Sequence, residues 1–383
     1  MHYLNIHTLY SLAYASPNRD DTGSPKTLQY GGVTRARISA QAAKRAKRIG
    51  YEYSVDGDRT HRSNLLAERI TEIASDIMAQ AGRPATETQK EAIKAEAAKR
   101  IGTLTKGETA ATAAETKTEQ DDEPKENQGN RPPEKKDTLV WLDEYEERRL
   151  TQEVITRILA AAGTPDQAAT FVQPQTTQSL TIAAFGRMFA NSPELQTEAA
   201  VQMSHAFTTH AAAVDIDYFT AVDDLREHGA GHLGIQQYTG GVFYQYCNVD
   251  RAQLLHSWAI AREPVAENRL AEFFAQLLCA LPTGRQNNAA HHCLPKAVLM
   301  QEARQPISLA AAFDVPVTAD HEGLLVPSIK ALAQEHNWVR AQTPSWVGRS
   351  WATQPDLVTP TLSLEEITKA GAAWVLEGLQ DAR

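Results

Sequence analysis

A chain of 383 residues with 42% hydrophobic side chains has enough apolar mass for two or three domains with their own cores. Its 38 basic and 47 acidic residues, a net charge of −9, exclude a polycation that coats any anion. No run reaches the ~18 apolar residues of a membrane span, the first seventeen residues lack the basic start of a secretory signal, and Cys247, Cys279 and Cys293 form no Cys-x-x-Cys pair; these features predict a cytoplasmic protein with reduced thiols and no membrane partner.

Residues 3–10 alternate as a strand, with Tyr3, Asn5, His7 and Leu9 on one side and Leu4, Ile6, Thr8 and Tyr10 on the other. A stretch rich in turn formers follows, up to Gly32. Ser39 is the expected N-cap of a helix over residues 40–49, closed by Gly50. Leu66, Ile70, Ile73 and Ile77 recur at helical spacing, which predicts an amphipathic helix over 63–81 and helical chain on to about Arg100. Residues 103–137 hold almost no bulky apolar side chain and cannot offset their ordering entropy, so a mobile loop is expected there. Order resumes at Leu139, with a helix over 144–162.

Residues 180–185 read as a strand ahead of Gly186-Arg187-Met188, and 200–209 as a helix. In VDIDYFTAVDD, Val214, Ile216, Tyr218, Thr220 and Val222 share one face, and Asp215, Asp217, Phe219, Ala221 and Asp223 the other; this is a strand. A glycine-bearing loop leads to a further strand over 242–249. Helices over 251–281, a strand over 295–300 and a last helix behind a Ser363/Glu366 capping box complete the chain. Segregated helices and strands predict an α+β fold.

Between Arg35 and Arg48 lie six basic residues and no acid: Arg35, Arg37, Lys44, Arg45, Lys47 and Arg48. Without them the balance is 32 against 47, so any binding of nucleic acid falls to a local patch on a repelling surface. At 100° per residue, Gln41, Lys44, Lys47 and Arg48 share a face, with Ala42, Ala46 and Ile49 opposite as an anchor and Arg45 flanking. Arg35 and Arg37 alternate just before the helix, whose start offers backbone N–H groups to an anion. The arrangement fits a phosphate lane better than a merely solvated face, because no acid compensates it.

Asp215, Asp217 and Asp223 could hold Mg²⁺ or act as acid and base, but no His or Lys nearby completes such a site and a solvent-facing hairpin edge explains them better; Phe219 suits stacking on a base. His228 and His232 are four apart, but Gly229 and Gly231 argue against a helix there; His205 and His210, five apart, have the wrong spacing for one helix face; and His291-His292-Cys293 lacks a further ligand nearby, so no metal and no cofactor are expected.

Asn18-Arg19-Asp20-Asp21, Gly31-Gly32, Arg37-Ile38-Ser39-x-Gln41 and Lys44-Arg45-Ala46 resemble the N-terminal signature of the CasC family, the backbone subunit of the type I-E CRISPR surveillance complex, Cascade. Gly186-Arg187-Met188, the His205–His210 segment, the Asp215–Leu225 segment, His232-Leu233-Gly234 and Gly241-Val242-Phe243-Tyr244 continue the likeness. The resemblance implies an RRM-like (ferredoxin-like) palm over 1–58, 180–211 and 243–383, helical fingers over 59–179 and a β-hairpin thumb over 212–242. It implies a non-enzymatic subunit that polymerises head to tail on crRNA and kinks it at intervals. Its partners would be target DNA, further copies of itself, and the small, large and crRNA-capping subunits. Arg19, Lys26, Gln41, Lys44, Arg45 and Arg48 match backbone-gripping positions, Met188 the wedge at the kink, and Tyr218, Phe219 and Thr220 the thumb. The competing expectation is a metal-dependent endoribonuclease that cuts bound target RNA through Asp215 and Asp217.

Overall fold

The computed structural model describes residues 1–105, 139–159, 171–189, 191–222 and 230–381. In chain order its elements are β1 (Tyr3–Ala15), β2 (Thr27–Tyr30), β3 (Val33–Ile38), α1 (Ala40–Ser54), β4 (Thr60–Ser63), α2 (Leu66–Gln80), α3 (Glu87–Thr105), β5 (Val140–Asp143), α4 (Glu144–Leu159) and α5 (Leu180–Phe185). There follow β6 (Val201–Met203), β7 (Ala206–Thr208), β8 (Asp215–Val222), β9 (Ala230–Asp250), α6 (Arg251–Ser257), α7 (Ala266–Cys279), α8 (Gln286–Ala289), β10 (Ala297–Ala303), α9 (Leu325–Gln342), β11 (Val347–Ala352) and α10 (Leu364–Asp381). The fold is α+β, as the segregation of helical and strand patterns requires. The expected loop at 103–137 lies outside the described residues from 106 onward, and Thr103–Thr105 complete α3.

Two compact units divide the chain: Met1–Asp56 with Ala199–Arg383, and Gly57–Glu198, so residues 180–198 group with the second. In the first unit β1 is central. It pairs antiparallel with β9 on one side, Leu9 opposite Tyr244, and with β10 on the other, Leu9 opposite Ala297. The sheet runs β11-β10-β1-β9-β7-β3-β2, with β6 and β8 also paired to β9. Both faces are covered, which is why every residue of β1 from Leu4 to Tyr10 is buried. Leu9, Tyr244, Tyr246 and Leu299 pack with Ile329, Leu332 and Val339 of α9. Their neighbours on the pleat, Tyr10, Leu12 and Phe243, turn the other way and pack with Ala43 of α1 and Leu281. The second unit has its own core, in which Leu66, Ile70 and Ala74 of α2 meet Ile93 and Ala97 of α3 and Leu150 and Val154 of α4.

Three expectations are corrected. Residues 180–185 form a helix, not a strand: Ser179 caps it by accepting the Ile182 N–H, and Gly186 closes it at φ 76°. A six-residue apolar run fits a buried helix as well as a buried strand. Residues 200–209 are not helical; β6 and β7 both pair with β9, so tertiary pairing overrides the local pattern. Helix α1 does not stop at Gly50 but runs to Ser54. Fully buried Tyr51, edge-on to Phe273 with 5.8 Å between centroids, draws it onward and outweighs the ~1 kcal/mol cost of a mid-helix glycine. A Cβ at Gly50 would meet the end of the Gln276 side chain at 2.5 Å and Ala280 Cβ at 3.3 Å, in keeping with the close packing of α1 on α7.

Candidate nucleic-acid interface

The Ser39 cap forms as expected, with its hydroxyl accepting the Ala42 N–H at 3.2 Å. The Ala40 N–H is taken by His205 Nδ1 at 2.9 Å, so protein atoms supply part of what an anion would otherwise satisfy at this helix start. The buried line of α1 is Ala43, Lys47, Tyr51 and Glu52. The sequence-based division into faces is therefore rotated, because the anchor, Tyr51, lies beyond the glycine taken as the end.

That rotation sorts the basic residues. Lys47 is buried and its ammonium donates to the Ala280 carbonyl at 3.2 Å. Its long aliphatic stem lets it lie along the apolar side of the helix while the head finds an acceptor. Burial pulls its pKa down to about 8, against the partial support of Cys247 and Cys279. Arg35 is fully buried and donates to three carbonyls, Tyr30 at 3.1 Å, Thr208 at 3.0 Å and Phe313 at 2.8 Å. Both are corrections: neither charge faces outward, and each ties elements of the fold together. Lys44 is half-buried and donates to the Val201 carbonyl at 3.1 Å; burial lowers its pKa. Arg48 is half-buried and pairs with Glu52 at 3.8 Å, an acid just past the stretch that contains none.

The remaining residues converge on one corner. Gln41 and Arg45 are exposed on α1. The turn from Asn18 to Lys26 is fastened beside them: Asn18 Oδ1 accepts the Ser39 N–H at 2.9 Å, the Asn18 carbonyl accepts the Lys26 N–H, and the Lys26 carbonyl accepts the Arg37 N–H. Within the turn, Asp20 Oδ1 accepts from Thr22 and Ser24, and the Thr22 hydroxyl bond leads in holding its carboxyl below the usual range. Arg19, exposed, bridges to Pro25, and Arg37 is half-buried with Nε on the Thr27 carbonyl at 2.9 Å. His205 arrives on the turn between β6 and β7. Partial desolvation, and then Arg37 and Lys26, hold its pKa below the ordinary imidazole value. Arg19, Lys26, Arg37, Gln41 and His205 thus gather at the start of α1, with Arg45 exposed one turn further along the helix. His205 went unassigned in the sequence reading because its partners stand more than 160 residues earlier.

The β8–β9 hairpin carries the residues that the sequence matches to a thumb. Tyr218 pairs with Ile235 and Phe219 with Gly234. Ile216 and Tyr218 are 55% and 65% exposed on one face, joined by Ile235 at 59%, and Thr220 is exposed. On the other face the Phe219 ring lies across Gly234, where a Cβ would collide with it. Asp215 and Asp217 emerge on that second face opposite Tyr238 and Gln236, while Asp223 and His228 lie outside the described residues. Among the described residues no three His, Cys, Asp or Glu side chains gather closely enough to hold a metal, and no helix is long and apolar enough to cross a membrane. His291 Nε2 pairs with the Pro282 carbonyl at 2.8 Å. In the second unit Met188 is 78% exposed directly after Arg187, which is buried.

The class defined by this fold is a mixed α+β protein, whose larger sheet is antiparallel with helices against both faces and a basic corner at one helix start. The chain belongs to the CT1975-like protein family, which it matches over residues 4–369. A solved chain described as "CRISPR RNA-guided surveillance complex, pre-nicking" is 26% identical, with a TM-score of 0.72, over 97% of this chain and 100% of that one. Another, described as "CRISPR RNA-guided surveillance complex", is 22% identical with a TM-score of 0.56 over 98% and 99%, and shows the shared fold alone. Comparison with curated proteins gave no match.

Proposed function

We propose that the chain is a non-enzymatic backbone subunit of a Cascade-type CRISPR complex, which grips crRNA by its phosphates without reading its sequence. The observation that carries this is the gathering of Arg19, Lys26 and Arg37 at the start of α1, with Arg45 exposed one turn further along that helix, in a protein of net charge −9. It is supported by end-to-end similarity to a chain of an RNA-guided surveillance complex. Cations on a rigid corner position a ribose-phosphate chain and carry no base information, which suits a guide whose sequence varies.

On this reading the complex is of type I-E and the subunit is its CasC. The palm is RRM-like and comprises 1–58, 180–211 and 243–383; the fingers are 59–179 and the thumb 212–242. Copies assemble head to tail in the cytoplasm with the other Cascade subunits, and bases between kinks pair with target DNA. Met188 and the hairpin residues Tyr218, Phe219 and Thr220 impose the kinks. An inserted side chain acts by unstacking, at a cost of roughly a few kcal/mol per step.

Arg19→Ala with Arg45→Ala should weaken binding equally for unrelated RNA sequences. Preserved affinity, or a loss confined to one sequence, would refute the reading. The competing endoribonuclease reading is separated by incubating the assembled protein with complementary RNA and Mg²⁺. Intact RNA agrees with the proposal, whereas periodic cuts abolished by Asp217→Ala would assign the cleavage to Asp215 and Asp217.

A further inference from the structure

Met188 stands 78% exposed between two buried neighbours, Arg187 at 5% and Phe189 at 3%. A flexible, unbranched side chain held out in this way can act as a wedge only if the backbone beneath it is fixed. The structure shows what fixes it. Gly186 ends α5 at φ 76°, and Arg187 then exchanges two backbone hydrogen bonds with Thr197, both 2.8 Å. The Arg187 guanidinium turns inward. Its Nη1 and Nη2 reach the two carboxylate oxygens of Glu146 at 2.5 and 2.8 Å, Nη1 also reaches the Trp141 carbonyl at 3.1 Å, and the group lies 4.8 Å from the centroid of the Phe189 ring. Glu146 is anchored in turn: its Oε2 accepts the Asp143 N–H at 3.0 Å, its N–H donates to Asp143 Oδ1 at 2.7 Å, and Thr177 Oγ1 donates to Asp143 Oδ2 at 2.7 Å.

We infer that Glu146 is a positioning residue for Met188, acting through the bidentate clamp on Arg187 that holds the 186–189 segment in place. A buried ion pair adds little net stability over apolar side chains of the same volume, and the unpartnered Arg187 Nε leaves part of its desolvation cost standing. What such a pair supplies is direction, because a planar fork on a carboxylate fixes an angle that apolar packing leaves loose. Arg187, although cationic and next to the wedge, is therefore no phosphate contact.

The inference rests on the proposed role of Met188 at the RNA kink, and the test separates the two. In the complex assembled on its guide RNA, 2′-hydroxyl acylation reads nucleotide mobility at the periodic positions, and amide exchange reads residues 186–189. Met188→Ala should abolish the periodic reactivity. Glu146→Gln should reduce its contrast and speed exchange of the Arg187 amide about tenfold, with RNA affinity held within about twofold. Because Glu146→Gln could disturb folding, the pair Glu146→Leu with Arg187→Met keeps the buried volume without the fork. It should retain the melting temperature within a few degrees and still lose the contrast. If Met188→Ala removes the periodicity while both clamp variants retain it, the positioning role is overturned and the kink stands. If Met188→Ala leaves the periodicity untouched, the kink reading falls and the inference falls with it.

Discussion

Arg35 and Lys47 spend their charge inside the protein. Arg35, on β3, joins β2, β7 and the turn ending at Phe313 through the carbonyls of Tyr30, Thr208 and Phe313. Arg35→Met should cost about 3 kcal/mol, since it strands buried acceptors, and should leave the salt dependence of RNA binding by the folded protein unchanged. Denaturant unfolding and a salt titration check both halves. Lys47 makes a pH prediction. With a folded pKa of about 8 against a usual 10.5, the folded chain binds fewer protons than the unfolded chain between those values, so this group's contribution to stability rises as pH climbs through that window. Below pH 8 both states carry the charge and burial costs the fold roughly 3 kcal/mol. Buried Cys247, raised to about 12, has the opposite slope, so the comparison must be a difference. The stability of Lys47→Met relative to the parent should fall by roughly 3 kcal/mol between pH 7 and pH 10. A difference that does not change with pH would contradict the burial account.

At the scale of elements, the hairpin and α1 divide the proposed work. The β8–β9 hairpin keeps Phe219 folded over Gly234 on one face and leaves Tyr218 outward on the other, an aromatic covering a strand glycine. Gly234→Val should displace the ring and accelerate amide exchange across Asp215–Val222, while RNA affinity stays within about twofold of the parent because the basic corner is untouched. Unchanged exchange would show that the ring does not hold the hairpin. The hairpin's first strand was legible because period-two alternation is a local signal and residues 214–222 carry it without interruption. The α1 cap was legible for the same reason. Its buried face was not, because Tyr51 sets it from beyond Gly50. The helix at Leu180–Phe185 was hidden by its shortness, although Ser179 and Gly186 marked both ends. The basic corner itself could not be read from the sequence. The β2–β3 hairpin and the Asn18–Ser39 bond bring Arg19 and Lys26 to α1, and His205 arrives through pairing of β7 with β3.

For the whole molecule the proposed function raises the question of how an acidic protein would hold a polyanion. Six basic residues in the 35–48 stretch suggested one continuous strip. The structure withdraws Arg35 and Lys47, engages Lys44 and Arg48 with protein acceptors, and replaces the strip with a compact corner drawn from three parts of the chain. On the proposed function, a small cationic corner on a repelling background would hold a correctly docked backbone and not a stray polyanion. The most direct test is the salt dependence of binding to two single-stranded RNAs of unrelated sequence, for the parent and for the variant Arg19→Ala/Lys26→Ala/Arg37→Ala/Arg45→Ala. The expected result is one common slope for both RNAs in the parent and a slope shallower by roughly 3 in the variant, since each phosphate contact on a single strand contributes about 0.7. An unchanged slope in the folded variant, or different slopes for the two RNAs, would contradict it.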